Sequence, residues 1–119
     1  MRKVLIVDDE HGILVILDAV LSDAGYRTFL AANGKQALEL FKAETPDIVL
    51  MDWMMPLMDG PTASMAMYEL RPDIPIVFMS GADRNLLLAQ VPQAKHFVEK
   101  PFRASRVLAA LTEAISARR

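Results

Sequence analysis

The chain has 119 residues, 53% of them apolar and 24% charged, with a net charge of −2 and no cysteine. That length suits one domain with a substantial core, and the composition excludes a disulfide framework, a thiolate metal site and broad attraction to nucleic acid or anionic membrane. No apolar run reaches the ~18 residues of a spanning helix, and Val4 to Val7 after Met1-Arg2-Lys3 is too short for a signal peptide, so a cytoplasmic protein is expected.

Val4 to Val7 predicts a first strand that runs straight into Asp8, Asp9 and Glu10. Helical spacing follows: Ile13, Ile16, Leu17, Val20, Leu21 and Ala24 share a face, and Gly25 closes the helix as a C′ glycine. Val15 points away from that face, with Ala19 beside it. Thr28 to Ala31 predicts the second strand. Asn33-Gly34 begins the second helix, whose Ala37, Leu38 and Phe41 face inward, and Pro46 stops it. Ile48 to Met51 predicts the third strand, ending at Asp52. Pro61 fits the first position of the third helix, which Arg71-Pro72 ends. Ile76 to Met79 leads to Ser80 as the fourth strand. Pro92 interrupts the stretch after Asn85 to Val91, so the fourth helix is predicted to be short or partly unwound. Phe97-Val98 leads to Lys100. The last helix, about Ala104 to Ala117, buries Val107, Leu108, Leu111 and Ile115, and Arg118 and Arg119 suit its C-terminal dipole. Continuous apolar strands imply a sheet covered on both faces. Five βα units in a single α/β domain, residues 1–119, are expected.

Parallel strands present their C-terminal ends on one edge, where open α/β sheets bind ligands. Asp8, Asp9, Asp52, Ser80 and Lys100 all leave strands on that edge. Any one of them alone would pass as an ordinary loop or capping residue; five at strand ends in one repeat point to an active site. Carboxylates brought that close repel, so the site must protonate one or recruit a cation. An oxygen-only cluster favours Mg²⁺, and a nearby lysine suits an anion arriving with the metal. The chemistry implied is phosphoryl transfer, with a carboxylate as nucleophile.

The set Asp8-Asp9-Glu10, Asp52 with Met55-Pro56-Leu57-Met58-Asp59-Gly60, Ser80, and Lys100-Pro101-Phe102 closely resembles the receiver domain of bacterial two-component response regulators, including the chemotaxis regulators. The resemblance runs along essentially the whole chain. It implies a doubly wound, flavodoxin-like five-stranded parallel sheet of order 2-1-3-4-5 with helices on both faces. It implies that Asp52 is the phosphoacceptor, taking its phosphoryl group from a histidine kinase or a His-containing phosphotransfer protein. Asp8, Asp9, Asp52 and the backbone carbonyl of Met54 would hold Mg²⁺. Ser80 would be the switch hydroxyl, Lys100 the lysine that pairs with the phosphoryl, and Phe97 the switch aromatic, here without a tyrosine hydroxyl. Lys100-Pro101 would be cis. Such a domain is not an enzyme in the ordinary sense; it catalyses only its own phosphorylation and dephosphorylation. Met54 resembles a position that controls water access to the phosphoryl group, and the first helix one that docks phosphodonors, which is the alternative to reading Val15 as an ordinary exposed apolar residue.

The chain departs from the pattern in three places. Gly81 stands where alanine usually follows the hydroxyl residue, Gln93-Ala94 replaces the usual Gly-Ala, and nineteen residues separate Ser80 from Lys100, slightly short for the family. An aspartyl-phosphate phosphatase is disfavoured because Met54 is not an acid, and a flavin-binding module because no Ser/Thr/Gly-rich loop follows the first strand. A pseudo-receiver scaffold that works without phosphorylation remains as the alternative, opposed by the intact Asp8, Asp9, Asp52, Ser80 and Lys100. His11 and His96 form no nucleophilic or metal constellation. With nothing after the fifth helix, output is expected through a downstream protein or an output domain of a larger regulator, without direct contact to nucleic acid or membrane.

Overall fold

The computed structural model describes residues 1–55, 58–81 and 83–117. Strands β1 (Lys3–Val7), β2 (Arg27–Ala31), β3 (Ile48–Asp52), β4 (Ile76–Ser80) and β5 (His96–Glu99) alternate with helices α1 (His11–Asp23), α2 (Gly34–Glu44), α3 (Gly60–Leu70), α4 (Arg84–Gln90) and α5 (Ala104–Ala117). All strand pairs are parallel, in the order β2-β1-β3-β4-β5. This is the doubly wound, flavodoxin-like arrangement. Alternate side chains of one strand feed different cores. Leu5 and Val7 join Ala37, Phe41, Ala63, Met67 and Leu87 under α2, α3 and α4, while Val4 and Ile6 join Leu14, Leu17, Leu21, Val107 and Leu111 under α1 and α5. Burying each such side chain contributes roughly 1.5–3 kcal/mol, which explains why the strands read as unbroken apolar runs.

The strands run one or two residues beyond the apolar runs, so Asp52 and Ser80 are the last residues of β3 and β4 rather than the first after them. In α1 the inward stripe is Leu14, Leu17 and Leu21. Ile16, expected on that face, is 60% exposed beside Val15 at 51%, and Ala24 is an exposed C-cap. Gly25 follows it at φ +97°, in the C′ position expected of it. Asn33 caps α2 by accepting from Gln36 N. Asp59 caps α3 through Thr62 N, so Gly60 opens that helix and Pro61 falls one place later than expected, still where its missing N–H costs nothing. Helix α4 is short, with seven residues. In α5, Ala110 and Ala114 are buried alongside Val107, Leu111 and Ile115, while Leu108 is half-buried. Gln93 needs no left-handed backbone, because Gly25 and Thr45 are the positive-φ residues among those described. Arg118 and Arg119, like Pro56 and Leu57 of the motif, lie outside the described residues. No described helix is long and apolar enough to cross a membrane.

Candidate functional site

Strand register brings the polar residues together. Val7 is level with Met51, Asp52 with Met79, and Ser80 with Glu99, so Asp8, Asp52, Ser80 and Lys100 stand along one sheet edge. Asp8 is wholly buried and Asp52 and Ser80 nearly so. Such groups require partners. Asp8 is fixed through its backbone, whose N–H donates to the Ala31 carbonyl at 3.1 Å, and through both carboxylate oxygens: Oδ1 accepts from the Glu10 N–H at 2.9 Å and Oδ2 from Lys100 Nζ at 2.9 Å. Lys100 Nζ also lies 3.3 Å from Asp52 Oδ1. The lysine is placed by its own N–H, which donates to the Ser80 carbonyl at 3.0 Å, and by the Lys100-Pro101 peptide, which is cis.

Asp8, Asp9 and Asp52 each offer a carboxylate oxygen, all within 4.8 Å of one another, with Asp9 exposed. Burial, and then the charge of Asp8, push the Asp52 carboxyl up to about 6, against the opposing pull of Lys100. For Lys100, burial alone would lower its pKa, but the Asp8 hydrogen bond and the Asp52 charge raise it overall. Two carboxylates thus share one ammonium, with the third, Asp9, beside them. An all-oxygen donor set short of positive charge fits a hard divalent cation such as Mg²⁺.

Phe97 is buried on β5 against Phe78, ring centroids 6.1 Å apart, and Phe78 meets Trp53, the neighbour of Asp52, edge to face at 5.0 Å. Arg84, at the start of α4, holds its guanidinium 5.0 Å above the Phe97 ring. Sequence reasoning missed this contact and the Glu10 amide on Asp8; Arg84 and Phe97 lie on different elements, α4 and β5, and no sequence pattern links them. Met54 is 72% exposed, whereas Met67 is part of the core. His11 is exposed, and His96 is half-buried, its pKa lowered chiefly by burial.

The model of the response regulator receiver domain matches residues 4–112. Chemotaxis protein CheY of Thermotoga maritima is 36% identical over 115 residues, 94% of this chain and 96% of that protein. Sporulation initiation phosphotransferase F of Bacillus subtilis is 44% identical over 80 residues, 67% of this chain and 64% of its own length. The solved structure of Vibrio cholerae chemotaxis protein CheY4 superposes with a TM-score of 0.91 at 28% identity, covering 96% of this chain and 98% of that one. With that match over nearly its whole length, the chain belongs to the response regulator receiver domain family.

Proposed function

We propose that the protein is a phosphorylatable signalling switch whose Asp52 accepts a phosphoryl group from a histidine kinase or a His-containing phosphotransfer protein. The observation that carries this reading is the meeting of Asp8, Asp9 and Asp52 within 4.8 Å, with Lys100 bridging Asp8 and Asp52. An Asp52 oxygen would attack phosphorus as the phosphorus–nitrogen bond to the donor imidazole breaks, leaving an acyl phosphate and a free histidine. With its pKa near 6, the carboxylate is ionised at neutral pH. Asp8, Asp9, Asp52 and the Met54 carbonyl would hold Mg²⁺, which when bound neutralises charge on the transferring group.

Phosphorylation places roughly −1.5 to −2 units of charge at Asp52. Lys100 and the Ser80 hydroxyl then gain charge-assisted hydrogen bonds of about 1.5–3 kcal/mol each. Gains of that size match a few-kcal/mol gap between two conformers. Phe97, next to both β4 and α4, is the side chain through which the change would reach the surface. There Arg84, Arg103 and Arg106 line a cleft with Phe97, Phe102 and one carboxylate, Glu99; cations outnumber the acid, which suits an acidic segment of a downstream protein or of an output domain. The exposed Val15 and Ile16 of α1 would meet the phosphodonor. The lack of cysteine fits the cytoplasm.

Acetyl phosphate should label the protein only when Mg²⁺ is present, and Asp52→Asn should abolish labelling; metal-independent labelling, or labelling that survives Asp52→Asn, would refute the proposal. A second expectation concerns Met54. Its apolar, exposed side chain would keep water from the phosphoryl group, so Met54→Asn should shorten the phospho-state lifetime several-fold, as measured by loss of label after donor removal.

A further inference from the structure

A row of rings runs from the neighbour of Asp52 to the surface. Trp53 meets Phe78 edge to face at 5.0 Å, Phe78 meets Phe97 at 6.1 Å with the rings tilted by 32°, and the Arg84 guanidinium stands 5.0 Å from the Phe97 centroid. Phe97 is 8% exposed and shares one core cluster with Trp53, Phe78 and Leu87 of α4. Phenylalanine carries no hydrogen-bonding group, so no hydrogen bond can hold this ring in place. Packing and the cation above it must do so.

Arg84 is itself exposed, the first residue of α4. The carboxylate beside it in the chain, Asp83, is engaged as the N-cap, its Oδ1 accepting from Asn85 N at 2.7 Å. Among the described residues no carboxylate lies within ion-pair distance of Arg84, although Glu99 lines the same cleft together with Arg103 and Arg106. An exposed arginine with two like charges in its cleft has many rotamers open to it. The one that keeps its guanidinium over a ring gains the attraction of the ring's negative face.

We propose that Arg84 is a positioning residue for the switch: its guanidinium over the Phe97 ring favours the buried ring position and so sets the starting population that phosphorylation has to shift. That role rests on the reading of Phe97 as the switching side chain, and it names the residue that controls that side chain. A cation–π contact at a partly exposed site changes such an equilibrium by about two- to fivefold. Charge and packing can be told apart, because arginine covers the ring with an apolar stem as well as a cation. Arg84→Met keeps an apolar stem without charge and should lose the hold, whereas Arg84→Lys keeps a cation and should retain part of it.

The test records NMR spectra of the full chain with ¹³C-labelled phenylalanine rings, the Phe97 signals being assigned with Phe97→Leu and the ring populations taken from relaxation dispersion. Without a phosphodonor, Arg84→Met should lower the ratio of buried to outward Phe97 rings by about two- to fivefold, and Arg84→Lys should fall between it and wild type. Arg106→Met removes a cation from the same cleft but none from above the ring, and should leave the Phe97 signals as in wild type. Unchanged signals in Arg84→Met, or a loss as large in Arg84→Lys or in Arg106→Met, overturn the proposal. Beryllofluoride, a phosphoryl mimic, added with Mg²⁺ to the wild type tests the switch itself. Phe97 signals that ignore it overturn the switch reading, an outcome distinct from signals that respond to it yet do not depend on Arg84.

Discussion

Lys100→Met should destabilise the metal-free protein at pH 7 by about 3 kcal/mol, the usual cost of removing one partner from a buried ion pair. Asp8 is fully buried, and Lys100 Nζ is the cation on its Oδ2 at 2.9 Å. Methionine keeps most of the length of the side chain and removes the charge together with the N–H donor that Asp8 Oδ2 accepts. Two buried carboxylates, with Asp9 beside them, would then face one another uncompensated. Because Lys100 is itself 21% exposed, water screens part of the loss and holds it to the lower end of the range. Mg²⁺ should restore much of the stability, since a ligand bound only by the folded state adds to it by mass action. Urea unfolding with chelator and then with Mg²⁺ measures both. Lys95→Met, an exposed lysine, is the control and should stay within about 0.5 kcal/mol of wild type. Equal stability of Lys100→Met and wild type in chelator would show that Lys100 does not neutralise Asp8.

Asp52→Asn should act in the opposite direction, stabilising the metal-free protein at pH 7 by on the order of 1–2 kcal/mol. Burial and the Asp8 charge raise the Asp52 carboxyl from its ordinary 3.8 to about 6. Between those values the folded chain binds more protons than the unfolded one. Stability therefore falls as pH rises through that window; the penalty is complete above about 6 and vanishes below about 3.8. A two-unit shift corresponds to nearly 3 kcal/mol, but the amide also deprives Lys100 of a charged neighbour, which reduces the gain. The difference in unfolding free energy between variant and wild type should shrink toward zero as pH drops to 4. A difference independent of pH would assign the stabilisation to packing rather than to charge. Opposite signs from two residues 3.3 Å apart express one condition, that the cluster holds more negative than positive charge until a cation or a proton arrives.

The chain order of the elements could be read directly, because the apolar runs belong to strands covered by helices, and the runs of β1, β3, β4 and β5 stop at the polar residues Asp8, Asp52, Ser80 and Glu99; β2, an edge strand, is only partly buried. Asp8, Asp52, Ser80 and Lys100 were legible for the same reason: a residue that ends a parallel strand stands on the ligand edge whatever the details of packing. The inward face of α1 was not. Ile13, Ile16 and Val20 make a stripe nearly as apolar as Leu14, Leu17 and Leu21, and with ~3.6 residues per turn the two lie side by side. Rotation of the helix against the sheet chose between them, leaving Ile16 exposed.

What the sequence determined alone was therefore topological: which residues end strands, which cap helices, and which chemistry those types can perform together. Tertiary structure decided the distances. Asp8 and Lys100 are 92 positions apart in the chain and 2.9 Å apart in space; the raised carboxyl of Asp52 arises from burial and from Asp8, just past the end of another strand; and the start of α2 has room only for glycine at Gly34 because Met58 packs against it. Local patterns record the conformational preferences of a segment. The energy of a contact between segments depends on separation and burial, and those exist only once the chain has folded.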